Sequence, residues 1–391
     1  MSSRPVRHAR RALAAPLALL VAPLVALVLT GCTALGPGGV VEQAAAVDTT
    51  PLSELDVLDD PREWTGETVA RTAETPVAPV ADDPQPQLPV TVTDAQGTEV
   101  TVTDTSRILA LDLYGTLSRT VFELGLGDRV VGRDTSSTFP EIADLPLVTA
   151  NGHELTGEAV LELAPTVILT DTTLGPWDVL MQMRDAGIPV VVLDPHRSVK
   201  TSGDLVRSVA EALGVPEEGA ELAERTQAEV DDVVAQIAEL APPEKDDRLR
   251  VAFLYVRGQA GVYYLFGEGS GADSLVESVG AVDVASEIGW QGMRPVNDEG
   301  IVAAQPDVLL MMSKGLESAG GVDGLLERLP ALAQTPAGEN RRIVAMDDSQ
   351  ILAFGPETAA VLDALARALY APESLAPTSV STGGPAAGSH G

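Results

Sequence analysis

Histidine is scarce in this chain of 391 residues, so its four copies, His8, His153, His196 and His390, can be weighed singly. His153 stands in Asn151-Gly-His-Glu-Leu155, a polar turn ahead of a helical stretch. An imidazole there either sits in solvent near the helix start or offers a lone pair to a metal, and residue type leaves both readings open. His196, in Asp194-Pro-His-Arg197, follows an apolar run, and there the solvated reading is the stronger. Another apolar run ends in Tyr255-Val-Arg-Gly258, where a period of two puts Tyr255 and Arg257 on one face. A cation beside a phenol favours the phenolate, the form that binds ferric iron well. The plainer alternative is a core-packed tyrosine beside a solvated arginine. Tyr263 and Tyr264 nearby read as core or as pocket wall.

Capture of bare zinc or manganese takes about three or four ligands from His, Asp, Glu or Cys. The few dispersed histidines, and a single cysteine, Cys32, near the N-terminus, argue against such a cage. Haem iron asks for less, because the porphyrin fills four positions and the protein adds one or two axial ligands such as His, Met or Tyr. A sparse polar set in a large apolar cleft is then enough. The chain has no Gly-x-Ser-x-Gly elbow, no His-Glu-x-x-His helix and no Gly-x-x-x-x-Gly-Lys loop, which argues against a hydrolase, a zincin or a nucleotide-driven enzyme.

The elements that must hold these residues alternate. Val90–Thr93 and Glu99–Val102 flank a turn and predict a hairpin. The runs at Ile108–Leu111, Val130–Gly132, Thr166–Leu169 and Val190–Leu193 predict strands of a parallel sheet buried on both faces, with helices between them. A second series starts at Arg250–Tyr255 and continues through Val308–Met311 and Arg342–Ala345 to a helix over Pro356–Leu369. Pro216–Leu240 reads as one helix stopped by Pro242 and Pro243, roughly 37 Å long at 1.5 Å per residue.

Residues 157–170 align with 298–311, each copy reading as helix, proline turn and buried strand, with Pro165 opposite Pro306. Twelve residues before each proline stand His153 and Arg294. The expected fold is therefore α/β, two Rossmann-like lobes joined by a single long helix, with ligand bound at the strand ends between them. The expected boundaries are a first lobe over 89–215, the helix over 216–241 and a second lobe over 242–372. A disordered tail is expected over 373–391, which leaves His390 without a role.

Arg4, Arg7, Arg10 and Arg11 precede the apolar stretch Leu13–Leu29 and then Leu29-Thr-Gly-Cys32, which reads as an export signal over residues 1–31. The apolar run is about 17 residues, short of the roughly 20 a bilayer span needs. Thr33–Leu88 holds 11 acids and two arginines with no sustained apolar period, so residues 32–88 are expected to be an acidic, disordered tether. The net charge of −32 argues against nucleic acid or an anionic surface as partner.

Leu29-Thr-Gly-Cys32 resembles the lipobox of bacterial lipoproteins, which implies acylation of Cys32 and a lipid anchor on the outer face of the cell membrane. Ser106-Arg-Ile-Leu-Ala110, Glu123-Leu-Gly-Leu-Gly-Asp-Arg-Val-Val-Gly132 and the two proline-turn repeats resemble the periplasmic-binding-protein family that serves importers of siderophores, cobalamin and haem, over residues 105–370. The resemblance implies the class III fold of that family. Asn151–Leu155, Tyr255–Gly258 and Gly315-Leu-Glu-Ser-Ala-Gly-Gly-Val-Asp323 look like its haem-carrier branch, the HmuT type. That likeness implies a monomer that is no enzyme but holds ferric haem b through His153 and Tyr255, with Arg257 hydrogen-bonded to the tyrosine oxygen. It also implies delivery of haem to an ABC permease and its ATPase. Met293 is expected to pack on the macrocycle or offer a weak thioether, and Met312 to reach the pocket, with core filling the commoner role of methionine at such places; Arg294 and Arg133 are candidate partners for the propionates. A ferric siderophore or cobalamin carrier is the alternative, and it would need no axial ligand.

Overall fold

The computed structural model describes residues 47–375, apart from Glu74 and Asn151. Cys32, the signal segment over 1–31 and His390 lie outside the described residues, as does all of the C-terminal tail beyond Leu375. Residues 372–375 form a closing 3-10 turn with Pro372 buried.

The first strand, β1 (Glu67–Ala70), falls within the segment expected to be a tether. It is followed by the hairpin β2 (Val90–Thr93) and β3 (Glu99–Val102), then β4 (Ile108–Leu111), β5 (Thr149–Ala150), β6 (Glu154–Leu155), β7 (Val167–Thr170) and β8 (Val190–Val192). After the long helix come β9 (Arg250–Arg257), β10 (Val262–Phe266), β11 (Val282–Asp283), β12 (Met293–Pro295), β13 (Val308–Met312) and β14 (Ile343–Met346). In the first lobe β4, β7 and β8 form a parallel sheet in that order. Their apolar runs are buried on both faces, as strands sandwiched between helices must be. Val130 adds only a bridge to Ile108. The expected strand does not extend, because Arg133 bridges to Leu147 instead.

The second lobe's sheet runs β1-β14-β13-β9-β10-β12, with β11 beside the start of β9. β10 is antiparallel to β9 and to β12, and the other pairs are parallel. The helix Pro216–Leu240 opens on a proline at its first turn, where the missing N–H costs nothing. Its N-terminal half gives Leu222 and Ala223 to the first lobe's core, and its C-terminal half gives Val230, Val233 and Ile237 to the second's. One rigid element is thus built into both cores.

The tether expectation is corrected over 47–88. Leu52 is 1% exposed within the second lobe's core, and Leu58 N–H donates to the Tyr370 carbonyl at 2.9 Å. β1 pairs with β14 from Glu67↔Ile343 to Ala70↔Met346. The chain then passes to the first lobe, where Val77, Val80 and Leu88 pack on the core. The segment has no hydrophobic period of its own because it docks on the edge of a larger sheet, adding one short edge strand and a few separate apolar anchors.

Candidate functional site

A cavity of about 760 Å³ lies between the lobes, at the carboxyl ends of the strands, where open α/β sheets hold their ligands. Tyr255 and Arg257 project into it from the end of β9, while Val256 between them turns into the core. Arg257 Nε donates to Tyr255 Oη at 2.5 Å, and the guanidinium lies 5.8 Å from the phenol ring centroid. Behind the phenol stand Tyr264, directly across on β10 with its ring centroid 6.4 Å away, and Phe266 at 6.2 Å.

The glycine that ends this motif has a steric cause. A Cβ on Gly258 would lie 2.5 Å from Ala319 Cα, because the helix Ser313–Ala319 packs onto this strand end. Gly258 N–H also donates to Ser318 Oγ at 2.9 Å. From the same helix, Gly315 and Ser318 line the cavity, and a Cβ on Gly315 would come within 3.0 Å of the Val256 carbonyl. Tyr255–Gly258 and Gly315–Asp323, separate in sequence, therefore meet in one packing unit.

His153 reaches the cavity from the first lobe, at the tip between β5 and β6, with Gly152 at φ +94° making the turn. The imidazole is held below the usual histidine pKa, first by partial burial, then by the positive charges of Lys314 and Arg257; Asp348 opposes them. Its field is thus set from the second lobe. Met312, at the end of β13, also lines the cavity.

Tyr114 forms the first-lobe wall over a buried ionic cluster. Its ring centroid lies 5.2 Å from the Arg197 guanidinium, which pairs with Asp112 at 2.8 Å and Asp171 at 2.7 Å. Asp112 follows β4, Asp171 follows β7 and Arg197 follows β8, so three strand ends are tied together under the ligand space. A third carboxylate, Asp134, accepts from the N–H groups of Ser136 at 2.9 Å and Ser137 at 2.8 Å and from that of Asp112 at 3.2 Å. Burial, and then the Asp112 charge, raise its pKa to about 7.

Of the residues singled out in the sequence, the structure brings His153, Tyr255, Arg257 and Met312 around one cavity. It leaves Met293 and Arg294 outside. Both are exposed on the edge strand β12, Met293 at 53%. Arg294 does precede a helix, Asp298–Ala304, as His153 precedes Gly157–Glu162, but pairing of its segment with β10 carries it along the sheet edge, away from the strand ends. Arg133 is spent on its own loop, its Nη1 donating to the carbonyls of Asp134 and Ser137. His196 is exposed and bonded to Asp194. The sequence reading missed Tyr114, Lys314, Arg71, Thr72 and Gln350, all in the cavity wall; the one signal available was the rarity of lysine, with Lys314 one of three.

Among the described residues no three His, Cys, Asp or Glu side chains gather as a metal cage. One imidazole and one phenol from different lobes suit a metal that arrives already chelated, with axial positions to fill.

Residues 113–350 match the family described as periplasmic binding protein. The crystal structure of the heme binding protein HmuT is 46% identical with a TM-score of 0.74, covering 80% of this chain and 99% of that one. HmuT is also solved with alanine in place of a histidine, of a tyrosine, and of the arginine two positions beyond that tyrosine. The periplasmic heme-binding protein RhuT from Roseiflexus sp. RS-1 is 37% identical, with a TM-score of 0.60, over 70% of this chain and 100% of its own. The uncharacterized ABC transporter substrate-binding lipoprotein YvrC of Bacillus subtilis is 24% identical over 286 residues, 72% of this chain and 86% of that protein.

Proposed function

The chain belongs to the periplasmic binding protein family, and from that premise we propose that it is the haem-binding component of an ABC importer, a carrier and not an enzyme. Haem fills the inter-lobe cavity with its iron between Tyr255 of the second lobe and His153 of the first. Arg257 donates to the oxygen that bonds iron, so the negative charge gathered there meets a fixed cation. Met312 packs on the macrocycle. The bound species is ferric haem b, and the ferric state follows from a phenolate oxygen, a hard donor that prefers the ferric ion.

The observation that carries this reading is the 2.5 Å contact between Arg257 and Tyr255, facing the same cavity as His153. The same residue types, with the same tyrosine-to-arginine spacing, are those replaced by alanine in the HmuT structures. A siderophore or cobalamin carrier is not favoured, since neither ligand calls for an axial phenol and imidazole from opposing lobes.

Cys32, acylated, anchors a monomer to the outer face of the membrane, and the loaded lobes dock on a permease driven by its ATPase. Because the helix Pro216–Leu240 is built into both cores, the lobes shift modestly rather than swing, and docking needs to loosen only one axial bond for release.

Titration of the purified chain with ferric haem, beside His153→Ala and Tyr255→Ala, tests the proposal. A saturable one-to-one Soret shift that either substitution alters is the expected result. No saturable shift in the unaltered chain would overturn it.

A further inference from the structure

The cavity has a wall from outside the family-matched stretch 113–350. Directly after β1, Arg71 and Thr72 line the same space as Tyr255 and His153. The segment is fastened on both sides. Thr72 Oγ1 accepts from Gln350 Nε2 of the second lobe at 2.8 Å. On the first lobe, Arg119 Nη2 donates to the carbonyls of Thr75 at 3.0 Å and Pro76 at 3.2 Å, and Val77 N–H donates to Glu141 at 3.0 Å. This is a strap across the cleft, the second crossing between the lobes beside the long helix.

The charge facing the cavity is of the opposite sign to the rest of the molecule. In a chain of net charge −32, Arg71, Arg257 and Lys314 line the space, and none is in an ion pair among the described residues. The two acids of the lining are held within the second lobe's own loops. Asp347 accepts from Ser349 N–H at 2.9 Å and Ser349 Oγ at 2.5 Å, and Asp348 accepts from Lys314 N–H at 3.0 Å. An acidic body that gathers three cations in one cavity is suited to an anionic ligand. Arg257 is turned to the tyrosine oxygen, which leaves Arg71 as the forked donor suited to a carboxylate.

We propose that Arg71, carried by the strap, clamps a carboxylate of the bound ligand and so selects tetrapyrroles with free acid side chains. This rests on the haem reading above and names a recognition residue for that same site. The strap then couples cargo to lobe position, because the residue that grips the ligand lies on a segment tied to both lobes.

The test compares ferric protoporphyrin IX with its dimethyl ester, in which the carboxylates are masked, on the unaltered chain, Arg71→Gln and Arg71→Lys. Arg71→Gln is expected to weaken binding of the free acid about tenfold, to bind the diester as the unaltered chain does, and to keep the same Soret maximum, since the iron ligands are untouched. Arg71→Lys is expected to recover part of the loss. Equal losses for acid and diester, or no loss for either, would overturn the clamp and leave haem binding standing. Failure of the unaltered chain to bind the free acid at all would overturn the haem reading and this proposal with it.

Discussion

Arg257 Nε lies 2.5 Å from Tyr255 Oη, two residues on along the same strand, and the pair faces the cavity that His153 enters from the other lobe. Arg257 is exposed, and its side-chain contacts are with the Tyr255 phenol. Arg257→Ala should therefore leave unfolding within about 0.5 kcal/mol of the unaltered chain, while ferric haem affinity falls about tenfold through loss of a charge-assisted bond. Tyr255→Phe should abolish the tyrosinate charge-transfer band that Arg257→Ala only displaces. Absorption spectra and titrations of the two variants decide it; indistinguishable spectra would remove Tyr255 from the iron.

With His153 on the iron as proposed, the histidine sets the acid limit of loading. Partial burial and then positive neighbours disfavour the imidazolium, so the His153 pKa is lowered and the lone pair stays free to a more acidic pH than in an ordinary histidine. Haem affinity should be flat through neutral pH and fall about tenfold per pH unit once the imidazole takes its proton. Lys314→Ala removes one of the repelling charges, raises the pKa and should move that fall to higher pH. His153→Ala should erase it. A pH profile of the Soret titration for the three proteins is the check, and a profile in His153→Ala that matches the unaltered chain would sink the assignment.

Asp134 makes stability depend on pH in the opposite sense to a salt-bridged carboxylate. Its folded pKa is raised to about 7 from an ordinary 3.8, so between those values the folded chain holds a proton that the unfolded chain has released. Stability from this group is full below about 3.8 and is lost as pH rises through 7. Urea midpoints at pH 5 and pH 8 should show a larger drop in the unaltered chain than in Asp134→Asn, which cannot ionise. Parallel drops would mean that the cluster of Asp112, Asp134, Asp171 and Arg197 balances its charge in some other way.

Much of the frame was legible because its signals are local. The runs Ile108–Leu111 and Val167–Thr170 stand out as continuous apolar stretches, and Pro216–Leu240 is bracketed by a proline at its start and two after its end. The period of two is enough to put Tyr255 and Arg257 on one face. What escaped depends on distant partners. β1 is a strand only because Met346 and its neighbours offer an open edge to Ala70, and nothing in residues 67–70 themselves marks them as one. Met293 and Arg294 misled for the converse reason: their position relative to the repeat was right, but pairing with β10 took the segment to the sheet edge. Tyr114 and Arg71 carry no motif, and only the meeting of the lobes makes them neighbours.

The packed state of residues 47–88 has its own test, since an acidic tether and a docked strap respond oppositely to the same substitution. Leu52 is 1% exposed in the second lobe's core, and Leu52→Ala should cost about 2–4 kcal/mol, read as a lower urea midpoint. In a tether the same change would cost nothing. The amides of β1 that bond to β14 should also exchange with solvent far more slowly than a disordered acidic chain would allow. Loss of protection over residues 67–70 in Leu52→Ala, with the first lobe's sheet unaffected, would show the segment undocking as a unit. If instead residues 47–88 exchange at once in the unaltered chain, β1 is not held on β14, and Arg71, which follows it directly, has no fixed place in the cavity wall.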